Sequence, residues 1–230
     1  MAESPEDRSV FDLTAEASDE VIRYGDLPDQ LIERFGNPRG KKVALIHGGY
    51  WRPEYDRVHL RPFAAAIASE GFDTYLIEYR REPGNPNATV ADVFTAIKMV
   101  GECAVIGHSA GGHLALLATQ LDEVESAIAL APVSDLVEGE QLNLDDGAVQ
   151  SFLGQSAESR SDLDPIRVGI GAKPVTIFHG IEDARVPVEL SRNFAVKYSN
   201  VQYYELSGIG HFELIDPRHP IFEKVIVTLN

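Results

Sequence analysis

The chain has 230 residues, 44% hydrophobic and 24% charged, which suits one globular domain with a full-sized core. Against 36 Asp and Glu stand only 20 Lys and Arg, a formal charge of -16, so phosphate backbones and anionic lipid surfaces are poor partners. The sole cysteine, Cys103, excludes an intramolecular disulfide and a cysteine-based metal site.

Residues 1–20 are acidic and read as a loosely docked arm; residues 21–230 read as a single domain. The N-terminal stretch lacks a basic run followed by an apolar core, so no secretory signal is expected. No apolar run approaches the ~20 residues that span a bilayer. A soluble, cytoplasmic protein is the default expectation, and a homodimer is compatible with it.

Two short alternating segments, 21–25 and 30–35, predict an edge hairpin around Asp26-Leu27-Pro28-Asp29. A core strand follows at 42–47, then an Ala-rich helix at 63–69 stopped by Gly71 and a strand at 72–79. Residues 89–100 place Val90, Val93, Phe94, Ile97 and Val100 on one helical face. Strands are expected at 103–106, 126–131, 174–178 and 201–206, with helices at 188–198 and 220–229. Alternating strands and helices with short connections call for an α/β fold: a mostly parallel central sheet with helices on both faces. Residues 136–168 break the alternation. They are polar and acidic, with a weak apolar face (Val149, Phe152, Leu153), and read as a small cap-like insertion or as a solvated excursion.

The run Val105-Ile106-Gly107-His108-Ser109-Ala110-Gly111-Gly112 carries the chemistry. An apolar strand enters a Gly-x-Ser-x-Gly turn and a helix-compatible run, His113 to Ala118, leaves it. That is the layout of a nucleophile elbow, in which a serine hydroxyl stands at the top of a sheet. The helix that follows aims backbone N–H groups at the same spot. A hydroxyl near neutral pH needs a base, normally an imidazole held by a carboxylate. In folds of this kind the chain order is serine, acid, histidine.

Downstream of Ser109 stand His113, His179, His211 and His219. His113 lies one turn into the helix and is directed away from the hydroxyl, while His219 opens the last helix. His179 ends a strand where the acid is expected. His211, in the glycine-punctuated loop Ser207-Gly208-Ile209-Gly210-His211-Phe212, suits a base that reaches across to the elbow. Asp183 is the expected acid; Glu182 is the runner-up, and Asp135, whose bland role is capping the next turn, is a further candidate.

His47-Gly48-Gly49-Tyr50-Trp51 marks another strand end. The amides of Gly48, Gly49 and Tyr50, with that of Ala110, can form an oxyanion hole, each donor lowering the barrier by about 2.7–4 kcal/mol. The alternative is a plain tight turn. Tyr50 and Trp51 are expected to wall the substrate site, which would suit a small acyl group, unless their rings pack into the core.

From residue 21 onward the chain resembles the α/β-hydrolase superfamily, and most closely its kynurenine formamidase (arylformamidase) and small-esterase branch. The matching residues are Tyr24-Gly25, the His47–Trp51 run, Gly107 to Ala115, His179-Gly180 with Asp183 and Val186-Pro187, and Gly210-His211-Phe212. The resemblance implies Ser109 as nucleophile, His211 as base, Asp183 as the orienting acid, no metal and no cofactor. It implies a small-molecule ester or amide substrate: an aryl formamide such as N-formylkynurenine, or alternatively a short-chain carboxylic ester. A non-catalytic binding protein on the same scaffold is the reading from a different class, and intact Ser109, Asp183 and His211 weigh against it.

Overall fold

The computed structural model describes residues 7–14 and 17–230. Residues 1–6 and 15–16 of the expected N-terminal arm lie outside the described residues. Eight strands form one sheet: β1 (Glu20–Arg23), β2 (Leu31–Gly36), β3 (Lys42–Ile46), β4 (Asp73–Ile77), β5 (Cys103–His108), β6 (Val124–Leu130), β7 (Val175–Gly180) and β8 (Val201–Leu206). Their spatial order is β1-β2-β4-β3-β5-β6-β7-β8. The β1–β2 hairpin and the β2–β4 pair are antiparallel, and every other pairing is parallel. This is the α/β-hydrolase fold. Elements expected from periodicity appear within a few residues of their predicted bounds.

The strands alternate because both faces of the sheet are covered. On β3, Ala44 and Ile46 face one hydrophobic cluster while Val43 and Leu45 face the other; on β5, Cys103 and Val105 oppose Ala104 and Ile106. Helices α1 (Arg61–Ser69) and α8 (Ile221–Leu229) cover one face with Phe63, Ile67, Phe222 and Val225. Helices α2 (Pro86–Val100) and α3 (Ala110–Ala118) cover the other with Val93, Ile97, Leu114 and Ala115. Among the described residues no helix is long and apolar enough to cross a membrane.

Residues 136–168 fold into α4 (Leu136–Gln141), α5 (Ala148–Leu153), two short 3-10 turns and α6 (Pro165–Val168). Leu136, Val149, Phe152, Leu153, Ala157 and Leu163 are buried in the same cluster as α3, so the segment packs as part of the body. The described part of the N-terminal arm is also packed. A 3-10 turn at Ser9–Asp12 seats Val10 in the cluster of Phe63 and Ile221, and Arg218 donates to Ser9 Oγ at 2.9 Å.

Candidate active site

Ser109 stands between β5 and α3 with φ 58° and ψ -120°. A non-glycine residue reaches this left-handed region only under strain, which the surroundings here enforce. A Cβ on Gly107 would lie 2.0 Å from the Gly111 carbonyl oxygen, and one on Gly111 would lie 2.2 Å from that of Ile46. The elbow therefore closes directly against β3, and neither glycine can be replaced without moving backbone. Ser109 N–H donates to Leu130 O on β6 at 2.8 Å, tying the turn to the next strand.

Gly48 presses on the same turn from β3's side. A Cβ there would meet His108 O at 2.7 Å and Ser109 Cβ at 2.9 Å. Gly49 and Tyr50 follow and line the cavity above Ser109. Tyr50 and Trp51 both have positive φ, 50° and 56°. Ala110 begins α3 directly after Ser109, so its N–H has no acceptor within the helix. Of the expected donors, Gly49 and Tyr50 line the cavity with Ser109 and Ala110 follows Ser109 in the chain, while Gly48 lies where only a residue without a side chain lets the two backbones approach.

His211 and Asp183 meet across 28 residues of chain: His211 Nδ1 to Asp183 Oδ2 is 2.7 Å. The other oxygen, Oδ1, accepts the N–H groups of Arg185 and Val186, each at 2.8 Å. His179 Nε2 lies 3.3 Å from Oδ2 and 2.8 Å from Val186 O, and its Nδ1 is 2.7 Å from Ser191 Oγ. Burial alone would raise the Asp183 pKa. The charge of His211 and the hydrogen bonds from His179 and His211 override burial and hold the carboxyl well below the usual carboxylate range. The acid is therefore ionised and fixed, and the His211 ring keeps its proton on Nδ1, leaving Nε2 as the basic nitrogen. Ser109 and His211 line one cavity of about 270 Å³. No hydrogen bond joins the Ser109 hydroxyl to the imidazole among the described residues.

The other sequence candidates have structural partners. Glu182 accepts from Gly208 and Ile209 N–H at 2.8 and 3.1 Å, bracing the loop that carries His211. Asp135 caps α4 by accepting from Glu138 N–H. His113 Nε2–H donates to Leu163 O at 2.8 Å inside the core, where burial lowers its pKa to about 4. His219 Nδ1 accepts from Ile221 N–H at 3.2 Å at the start of α8.

Trp51 corrects the expectation of a substrate wall. Its ring is 3% exposed and stacked on Phe152 at 4.4 Å, so it joins the oxyanion loop to α5 and not to substrate. The positive φ at Tyr50 and Trp51 sends the two side chains apart. Tyr50 remains in the cavity wall, and its hydroxyl donates to Arg185 O at 2.6 Å, clasping the oxyanion loop to the Asp183 loop.

Several contributors carry no local sequence signal. His108, the variable residue of the elbow motif, is buried, and its Nε2 lies 3.0 Å from His211 O. Burial and then the charge of His211 push its pKa well below the ordinary histidine value, so it stays neutral and donates. Behind the oxyanion loop, buried Glu78 accepts from His47 Nε2 at 3.0 Å, from Arg57 N–H at 3.1 Å and from Tyr79 N–H at 2.9 Å, and also pairs with Arg81. Burial would raise its pKa, but these bonds and charges hold it well below the carboxylate range. Arg57 and Arg61 also share buried Glu33. This lattice anchors the loop that brings Tyr55 and His59 to the cavity. The wall also includes Arg8 and Phe11 of the N-terminal turn, Phe212, and Asp145, which pairs with Arg52 at 2.7 Å.

A strained serine at a strand-to-helix turn, facing a carboxylate-held imidazole delivered after the last strand, defines the α/β-hydrolase superfamily. Within it the chain belongs to the BD-FAE family, which matches residues 35–198. It is similar to esterase LipC of Mycobacterium tuberculosis, at 31% identity over 241 aligned positions covering 85% of this chain. The chain spans 60% of that protein's length. Its fold is shared with a truncated carbohydrate esterase from gut microbiota, with a TM-score of 0.78 at 16% identity over 93% of this chain and 98% of that one. It is shared too with esterase B of Lactobacillus rhamnosis, with a TM-score of 0.75 at 20% identity over 91% and 82% of the two chains.

Proposed function

We propose that this protein is a carboxylic-ester hydrolase working by acyl transfer through Ser109, His211 and Asp183. The observation that carries the reading is the 2.7 Å Asp183–His211 pair, whose imidazole lines the same cavity as the elbow serine. Ser109 Oγ attacks the carbonyl carbon as His211 Nε2 takes its proton, and Asp183 stabilises the imidazolium that results. The oxyanion is held by the N–H groups at Gly49, Tyr50 and Ala110. His211 returns the proton to the leaving atom, and water then repeats the sequence on the acyl-enzyme. Substrate occupying the cavity displaces water and draws the serine and imidazole into contact, as such bonds tighten in the bound complex.

The esterase names among its relatives favour carboxylic esters over the aryl formamides implied by the His-Gly-Gly-Tyr-Trp resemblance. An aryl formamide such as N-formylkynurenine stays as the second reading, because the same machinery would cleave it and Tyr50 and Phe212 give the cavity aromatic walls. Side-by-side turnover of p-nitrophenyl acetate and N-formylkynurenine tests both. Ester turnover with little formamide cleavage supports the first reading, and a large formamide preference replaces it with the second. Failure of a fluorophosphonate probe to label Ser109 would reject both.

A further inference from the structure

We infer that Phe11, from the N-terminal turn, determines leaving-group specificity by forming the aromatic wall of a subsite beside His211. The inference rests on the acyl-transfer reading and deepens it. In that mechanism the carbonyl oxygen is turned toward the Gly49 and Ala110 amides, while His211 must reach the leaving atom to protonate it. The wall flanking His211 therefore borders the leaving group.

That wall is built from residues far apart in the chain. Phe212 follows His211, with the two rings 5.0 Å apart. Phe11 meets Phe212 edge-on at 4.8 Å and His59 at 6.0 Å. The Arg8 guanidinium, itself part of the cavity lining, lies 5.2 Å from the Phe11 ring centre and 5.4 Å from that of Phe212, bridging the pair. Phe11 nevertheless stays 39% exposed while lining the cavity. Val10, at 4% exposure, supplies the anchor, so the neighbouring Phe11 ring is free to present a face. A phenyl leaving group entering here stacks or packs edge-on against Phe11, whereas a small alkyl leaving group gains little from it.

The test compares phenyl acetate with trifluoroethyl acetate on the 230-residue chain and its Phe11→Ala and Phe11→Tyr variants. Intrinsic leaving-group reactivity cancels when the ratio of the two kcat/KM values is compared between variants. Phe11→Ala is expected to lower the phenyl-to-trifluoroethyl ratio by about three- to tenfold, the range of one aromatic contact, mainly through KM. Phe11→Tyr, which keeps the ring, is expected to hold the ratio within about twofold of the wild type. An unchanged ratio in Phe11→Ala, or an equal loss on both esters, would overturn the inference, the latter because Phe11 would then merely brace the His211 loop. A wild-type protein inert to both esters and to a fluorophosphonate probe overturns this inference together with the hydrolase reading; an active one with an unmoved ratio overturns this inference alone.

Discussion

Two buried carboxyl groups, Asp183 beside the cavity and Asp164 ahead of α6, live in opposite circumstances. Asp183 has donors on both oxygens, from two backbone amides and two imidazoles, and its pKa is driven down. The Asp164 side chain accepts from Leu136 N–H at Oδ1, its Oδ2 has no partner among the described residues, and burial lifts its pKa to about 6. The acidic Asp135 nearby adds to that rise. Equal burial therefore yields an ionised group in one place and a protonatable one in the other. The number of aimed donors decides, and the fold supplies them where a charge is used.

Removing the proposed nucleophile should give the largest effect on the cavity side. Ser109→Ala should cut turnover of p-nitrophenyl acetate by roughly a millionfold with an unchanged melting temperature. Asp183→Asn keeps the shape but releases the imidazole tautomer. Its kcat should fall about ten-thousand-fold, and a loss under tenfold would mean that the pair is structural only. Glu78→Ala leaves Arg57, Arg81 and His47 around a vacated buried charge, so the urea midpoint should drop by the equivalent of about 3–5 kcal/mol.

Asp164 should behave in the reverse sense. Its folded pKa of about 6 lies above the ordinary 3.8, so the folded chain binds the proton more tightly. Its stabilising contribution is complete below about pH 3.8 and is lost as pH rises through about 6. Asp164→Asn should gain stability relative to wild type across that window, on the order of 2 kcal/mol by neutral pH, measured as paired urea melts. A variant that tracks wild type at every pH would show that Asp164 stays solvated. The smallest effect is chemical: burial raises the Cys103 thiol to about 12, so iodoacetamide should leave the folded protein unmodified and react only after unfolding.

Much of this was legible along the chain. The central strands are covered on both faces, so their continuous apolar runs stand out, and the elbow motif fixes its own neighbours through Gly107 and Gly111. Chain order picks out His211 and Asp183 because each follows a strand at the same end of the sheet. What local pattern does not carry is contact made by loop closure. Phe11 and His59 reach the cavity through turns with no periodicity, and the apolar face of Val149, Phe152 and Leu153 reads as weak because the ring that stacks on Phe152, Trp51, lies far earlier in the chain. The orientation of Trp51 itself depends on a backbone φ of 56°, which no composition or spacing encodes.

That orientation also equips the molecule with an optical reporter. Trp51 is the sole indole in the chain, its ring lying against Phe152 and edge-on to His113 at 5.1 Å. Indole emission from the folded protein therefore comes from one buried seam, where the loop after β3 grips α5. Detachment of the 136–168 segment would shift that emission to the red even while the sheet stayed intact, separating local loosening from global melting in a single spectrum.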